Sequence, residues 1–474
     1  MLISLNKNDK RDLLLDNKLI FLSSIALTVF IVLIFRQFGF NHITLGIVVA
    51  LPIAGLFLFS FDTFLILFII SLFINFDALM FKIAELLVLP FLLSYIITSK
   101  NLEFKSFKNP LTLPFYIYLI TMLPSLINSI NVPLSIYLMY NFIAMVIVFH
   151  IIAKRIEHKE GISRYLYIFL AMCFLNGLVV FMQYFSSGGR VFGFTGVVFV
   201  DYSALTVLVS VIFLVLDKSK NKLVFLFLAL FILAALILTE TRNTLLSLGA
   251  SFFTLILYLI KENELFPINR KKVVSYFIAA IAIIIFAVIG LMVYAPQIYS
   301  RFTNLTAFSK MFVVEQNEIG VNSTFITRVL IWLTALNAFV KHPIIGIGAF
   351  SFPFSSHLYY TIPPILFKAF VEGLTTHVTF FSTLTETGIV GTIGFLIFLI
   401  SSLRIGFKSV KLALTYDERI ISTVILSMQI YIFYSMFMTD AWLWGQCGML
   451  WGFVLGLSLA NYKILLKKAK PQNV

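Results

Sequence analysis

The sequence predicts an all-α protein: a polytopic transmembrane helical bundle of about 12 to 14 spans with one large, partly helical loop on its outer face. Hydrophobic residues make up 60% of the 474 and charged ones only 12%, and the mean hydropathy is +1.02. A soluble core does not need that composition. The apolar residues also fall in runs long enough to cross a ~30 Å hydrocarbon core as helices. Finally, connections are short everywhere except at residues 295–375, and a loop so much longer than its neighbours is more often functional than decorative.

The spans read as 19–36, 43–61, 63–80, 82–98, 109–126, 133–152, 165–185, 198–216, 223–239, 243–260, 273–294, 377–402, 420–438 and 442–460. Only Phe61 and Asp62 separate the second from the third. The organisation is one integrated membrane domain: N-terminal helices over 1–294, the large loop over 295–375, and C-terminal helices over 376–474. Counting Lys and Arg beside span ends puts 26 of the 35 on one side, in segments such as KRIEHKEGISR, DKSKNK and KILLKKAK. By the positive-inside rule that side is cytoplasmic and holds both termini. The start MLISLNKNDKRD before a long apolar run reads as a signal anchor, since no small-residue cleavage site follows a short apolar region.

Net charge is +14. The positive residues lie in short loops flanking spans, where anionic lipid headgroups account for them better than nucleic acid does. Cys173 and Cys447 both fall in apolar runs, so no disulfide framework is expected. The six histidines are scattered and suggest no zinc spacing.

Between two spans the chain reads "ILTETRNTLLSLG", residues 237–249. On this topology Thr239, Glu240, Thr241 and Arg242 reach the outer face. Either threonine can cap the incoming helix, whose first turn then offers unpaired N–H groups and a positive dipole end beside Arg242, an anion site. Alternatively, Arg242 snorkels to the interface or pairs with Glu240. Arg190 in "SSGGRVFGFTG", Arg301 and Arg328 stand on the same side. Converging guanidinium groups suit a diphosphate, which they can hold in forked hydrogen bonds.

In the large loop, "STFITRVLIWLTALNAFVKHP" has apolar residues at helical spacing, predicting an amphipathic helix that ends before Pro343. One outcome for such a helix is to rest on the membrane surface. "GIGAFSF" follows, with Gly346 and Gly348 permitting close backbone approach or a sharp turn. His377 opens the next span after two threonines placed to cap it. A histidine can take a proton near neutral pH, as a general base must, and a positive helix end favours its neutral form. It can equally be a hydrogen-bonded residue at a helix start. Glu386 lies on the opposite face if the helix already runs from His377, so a structural pairing is expected for it. Gly388 and Gly391 are expected to allow close helix packing, and His342 and His357 read as loop surface.

These stretches resemble the core of the bacterial O-antigen ligase and polymerase superfamily. The order is shared: an Arg (Arg328), a Trp-bearing helix (Trp332), "HPIIGIGAF", a loop histidine (His377) and "ETGIVG". "TETRN" is similar to the family's "T-x-S-R" element and "GGRVFGFTG" to its upstream outer loop. The match covers residues 186–392, with Val378 standing where the family often has Asn. The resemblance implies an inverting, metal-independent glycan transferase without cofactors. Its donor would be an undecaprenyl-diphosphate-linked glycan at the periplasmic face of the inner membrane, and its acceptor either lipid A-core, for a ligase, or a growing glycan, for a polymerase. It further implies that Arg190, Arg242 and Arg328 bind the diphosphate and that His377 and Arg242 are catalytic. A transporter or flippase is the reading from a different class. It would show internal repeats or polar, broken helices at the midplane, and the intramembrane acids are sparse: Asp77, Glu85, Asp201 and Glu386.

Overall fold

The computed structural model describes residues 61–73, 109–187, 190–216, 221–262, 265–266, 324–443 and 445–469. The spans expected at 19–36, 43–61, 82–98 and 273–294 lie outside these residues apart from Phe61, as do Asp77, Glu85, Arg301 and the loop before residue 324. The chain divides into two compact units, Met1–Phe107 and Lys108–Val474. In the first, helix α1 covers Phe61–Ser71, with Leu65, Phe68 and Ile69 buried.

The second unit holds α2 (Thr112–Met122), which runs on as a 3-10 turn over Leu123–Asn128, then α3 (Val132–Arg155), α4 (Lys159–Ser187), α5 (Phe199–Leu216), α6 (Lys222–Leu238) and α7 (Arg242–Lys261). After residue 324 come α8 (Thr324–Lys341), two short helices, α9 (Phe352–Ser355) and α10 (Pro364–Phe370), and then α11 (Thr379–Leu412), α12 (Tyr416–Ser435) and α13 (Gly445–Ala469). Among the described residues there is no strand, and six helices are long and apolar enough to cross a membrane; α2 with its 3-10 extension and α6 are shorter apolar helices. The protein is thus an all-α, multi-pass membrane bundle. From α2 onward each described helix outside the 295–375 loop overlaps a predicted span and departs from it mainly at the ends, while α8, α9 and α10 lie within that loop.

Helix ends follow local chemistry. At α3 the Asn131 side chain accepts from Leu134 N, and Lys154 and Arg155 occupy the last turn, where cations complement the helix dipole. Thr415 and Glu418 form a reciprocal capping box at α12. Ion pairs Lys159–Asp417, Lys411–Glu262 and Lys468–Glu418 gather at this end of the bundle. We call it the basic end.

The core forms where small residues let backbones close up. α13 is buried along most of its length. A methyl at Gly452 would stand 2.8 Å from the Met145 carbonyl, and one at Gly456 2.7 Å from Ile152 Cβ, so α13 and α3 pack backbone to backbone. Gly394 does the same between α11 and α2, against Thr121 and the Tyr118 backbone. The sequence points to Gly388 and Gly391 for this role, and the structure corrects both. Gly391 faces the Thr387 side chain of its own helix.

Gly388 marks a break. Its φ of 65° and ψ of −167° interrupt α11, and a strap formed by residues 343–351 occupies the gap. Ile389 N donates to Pro343 O (2.9 Å) and Val390 N to Ile344 O (3.2 Å). In the other direction Ile347 N donates to Thr385 O (3.1 Å) and Gly348 N to Glu386 O (3.0 Å). Gly346, at φ 71°, passes so close that a Cβ would meet the Glu386 carbonyl at 2.4 Å. The buried Glu386 carboxylate accepts from Phe352 N (3.2 Å), the structural pairing expected for it. From the α2–α3 turn, Asn128 Nδ2 donates to Gly346 O (2.8 Å), Ser125 Oγ accepts from Ala349 N (3.2 Å), and Ser135 Oγ donates to Ala349 O.

Gly388→Ala therefore forces an L side chain into left-handed backbone, at about 1–2 kcal/mol, and drives a methyl against Ile344 O at 2.3 Å. The purified variant is expected to unfold at a clearly lower temperature than the wild type in the same detergent, whereas Gly249→Ala, whose Cβ meets nothing within 4 Å, is expected to match it.

Candidate functional site

Opposite the basic end, three turns meet: Thr239–Thr241 between α6 and α7, residues 374–378 before α11, and residues 436–443 between α12 and α13.

The first is so tight because Glu240 adopts left-handed backbone (φ 56°) and donates its N–H to Ile237 O, closing α6. Thr241 occupies the N-cap position of α7 but makes no capping hydrogen bond, which corrects the expectation that a threonine caps this helix. Its hydroxyl is engaged elsewhere: Thr241 Oγ1 accepts from Arg190 Nη2 (3.3 Å) and from Thr239 Oγ1 (3.2 Å). Arg190 Nε also donates to Thr239 O (3.0 Å), and its guanidinium lies 4.7 Å from the Phe192 ring centroid. The Arg190 loop is fixed from α4. Asn176 Oδ1 accepts from Phe194 N (2.6 Å), Asn176 Nδ2 donates to Thr195 Oγ1 (2.7 Å), and Gln183 Oε1 accepts from Gly193 N (2.9 Å). At Gly193 (φ 67°) a Cβ would fall 2.3 Å from Asn176 Oδ1.

Arg242 begins α7 and is half-buried. Among the described residues its guanidinium has no hydrogen-bond or ion-pair partner, so the expected alternative of pairing with Glu240 is not what forms. The next residue, Asn243, reaches Arg328. With the amide turned so that its oxygen faces the guanidinium, Asn243 accepts from Arg328 Nη1 at 3.1 Å and Nη2 at 2.5 Å. Arg328 Nη1 also donates to Met438 O (3.2 Å).

His377 does not open α11. The helix starts at Thr379 with Val378 as its N-cap residue, no threonine caps it, and His377 sits before it in left-handed backbone (φ 57°). The start of α11 is held instead by the 436–443 turn: Thr379 N donates to Met436 O (3.0 Å) and Thr439 O (3.1 Å), and Thr379 Oγ1 to Thr439 O (2.7 Å). Trp332 of α8 stacks on Phe381 at 5.4 Å and donates Nε1–H to Thr376 O (3.1 Å), bracing the loop before the histidine. His377 Nδ1 lies 3.3 Å from Thr375 Oγ1.

Burial holds the His377 imidazole below its usual range. The Asp440 carboxylate opposes that shift and the Arg328 guanidinium reinforces it. The physical cause is thus burial and neighbouring charge rather than the helix end that the sequence suggested.

Asp440 is the residue that sequence reasoning missed. It is 7% exposed, and its Oδ2 has no hydrogen-bond partner among the described residues. It acts electrostatically on both His377 and Arg328. Its only local signal is a lone acid in an apolar interspan turn, "FMTDAWLWG". Asp201 underpins the same turn: its Oδ1 accepts from Tyr431 Oη (2.5 Å) and Ser435 Oγ (2.9 Å), and Ser435 Oγ accepts from Trp442 Nε1 (2.9 Å).

Hydrogen bonds to Thr241 and Asn243, the chain neighbours of Arg242, thus bring Arg190 and Arg328 beside it, and Arg328 acts electrostatically on His377, all at one end of the bundle. His342 and His357 stay apart, His342 with its Nε2 3.1 Å from Tyr359 Oη and His357 exposed.

Fold and site together define a multi-pass helical membrane protein with a cation-rich site at one end of its bundle. Residues 225–396 match the family model described as O-Antigen ligase, a similarity over about a third of the chain that supports the resemblance to the O-antigen ligase and polymerase superfamily. The matched segment includes Arg242, Arg328, the strap and His377; Arg190 and Asp440 lie outside it. No curated protein matches the chain.

Trp332→Phe keeps the stack on Phe381 but removes the donor to Thr376 O. Amide hydrogen exchange over residues 374–378 is expected to rise by roughly fivefold to tenfold, the worth of one hydrogen bond of about 1 kcal/mol; exchange in α13 should not change.

Proposed function

We propose that this protein is an O-antigen ligase-like glycosyltransferase of the inner membrane. It moves a glycan en bloc from undecaprenyl diphosphate to an acceptor hydroxyl of lipid A-core at the periplasmic face, with both termini in the cytoplasm. The observation that carries this reading is the arrangement around Arg242: a half-buried guanidinium without a partner among the described residues, at the start of a helix, between the anchored Arg190 and Arg328, the latter acting electrostatically on His377. The family match supports an O-antigen ligase or polymerase type of function.

In this mechanism Arg242 and the first-turn N–H groups of α7 take the diphosphate, helped by Arg190 and Arg328, and stabilise its charge as it leaves. A proton on His377 Nδ1, shared with the Thr375 hydroxyl, leaves the Nε2 lone pair to accept the acceptor's proton. The acceptor oxygen bonds to the anomeric carbon from the face opposite the diphosphate, the carbon–oxygen bond to the diphosphate breaks, and undecaprenyl diphosphate departs. The configuration inverts, and neither a metal nor a cofactor takes part. Asp440 balances the charge of the imidazolium formed.

The direct test is reconstitution of purified protein with an undecaprenyl-diphosphate-linked repeat unit, with lipid A-core or with no added acceptor. Transfer only to lipid A-core, reduced at least a hundredfold in His377→Ala and Arg242→Ala, is the expected result. Chain growth without added acceptor, lost in the same variants, would make the protein a polymerase. Full activity in both variants would overturn the site assignment, and wild-type inactivity on a matched substrate would return the transporter reading.

The pH profile offers a second check. The base must be neutral, so activity is expected to fall as pH drops through a His377 pKa lying below the usual 6.5. Because the Asp440 carboxylate raises that pKa, Asp440→Asn is expected to move the acid limb to lower pH still.

A further inference from the structure

We propose that α8 is a re-entrant helix that descends end-on into the leaflet on the site's side, and that its outward face and the strap at its tip meet lipid hydrocarbon. This inference does not depend on the proposed reaction.

The first observation is the direction of α8 relative to α11. Midway along it Trp332 touches Thr376 and Phe381. Further on, Ala335 O accepts from Thr385 Oγ1 (3.3 Å), and past its end Ile344 O accepts from Val390 N (3.2 Å). The partners advance along α11 as the chain advances along α8, so α8 travels with the membrane span from the His377 level towards its middle. It does not lie flat on the surface, the outcome the sequence offered for it.

The second is composition around the helix. Its inner face, Ile331, Ala335 and Ala338, is buried against Ile347, Phe352, Phe367 and Val371. Every exposed residue between Ile331 and Val340 is apolar as well: Leu333, Leu336 and Val340. Exposure is 41% at Leu336, 70% at Val340 and 66% at Ile344. The polar Thr334 and Asn337 in this stretch are satisfied within the protein, by the Leu330 and Tyr359 carbonyls; an apolar helix face belongs against protein or in lipid, and this one has no protein covering it among the described residues. Beyond Ile344 the stripe continues onto the exposed face of α11 through Ile389, Ile393, Ile397 and Ile400, in a helix long and apolar enough to span.

Depth agrees from two sides. From Gly388 to the exposed Arg404 the rise is about 24 Å at ~1.5 Å per residue, which puts the strap just inside a ~30 Å hydrocarbon core. α2 and its 3-10 extension start at Thr112 and reach the strap at Asn128 after about 25–30 Å. Irregular backbone survives at that depth only when its polar groups are satisfied internally, and α11 and the α2–α3 turn supply the strap with such partners. Lys341 keeps its ammonium 5.5 Å from the Tyr359 ring centroid, a position from which a long side chain can snorkel to lipid phosphate.

The test uses the full chain in phosphatidylethanolamine–phosphatidylglycerol vesicles, spin-labelled at single introduced cysteines: Leu336→Cys, Val340→Cys and Ile344→Cys. Ile393→Cys is the lipid reference and Glu372→Cys, on an exposed turn, the water reference. The native Cys173 and Cys447 are buried. Oxygen access relative to a nickel chelate is expected to resemble Ile393→Cys at positions 340 and 344 and to rise several-fold from 336 to 344. A flat profile, or values at 340 and 344 resembling Glu372→Cys, would overturn the proposal. Leu336 and Val340 lie outside the strap, so a label that disturbs Ile344 still leaves the comparison of 336 with 340 to decide it.

Discussion

The break in α11 at Gly388 is the constraint on which the site depends. An interrupted helix leaves backbone donors and acceptors open, and away from water each would cost several kcal/mol. The strap closes them from both directions. In doing so it ties α8, which carries Arg328 and Trp332, to the helix that begins just after His377. The relative position of these residues is therefore fixed by main-chain hydrogen bonds between two segments, which tolerate far less drift than apolar contact alone.

Around this frame the three arginines are prepared differently. Arg190 is exposed but committed to the Thr239 carbonyl and the Thr241 hydroxyl. Arg328 is held by Asn243 and Met438. Both are preorganised, whereas Arg242 has no described partner to give up when an anion arrives. Such a division lets the site keep its shape without already satisfying the guanidinium proposed to take the diphosphate.

Much of this was legible in the chain. Spans from α2 onward could be read because long apolar runs bounded by Lys and Arg fit a bilayer and little else, and Gly346 and Gly348 because only special backbone or close approach needs them there. Caps failed: the Thr241 hydroxyl faces a competitor, Arg190, that is remote in sequence, and the start of α11 is satisfied by carbonyls from the 436–443 turn. Gly388 and Gly391 failed as helix-packing residues: the first is itself the break in α11, and the second faces Thr387 of its own helix. Asp440 and Asn243 stayed hidden for the same reason as the caps, since each gains its meaning only from partners roughly a hundred residues away or from no local pattern at all.

The 436–443 turn has a consequence in time as well as in space. It supplies Met438 O to Arg328, Thr379 its two carbonyl partners, and the carboxylate facing His377. It also follows every arginine of the site along the chain, and so leaves the ribosome after all of them. Until the hairpin that carries it inserts, Arg328 lacks a carbonyl and α11 lacks its anchor, so a partly translated chain holds the cations without the geometry. Insertion of that hairpin is the step that completes the frame around them.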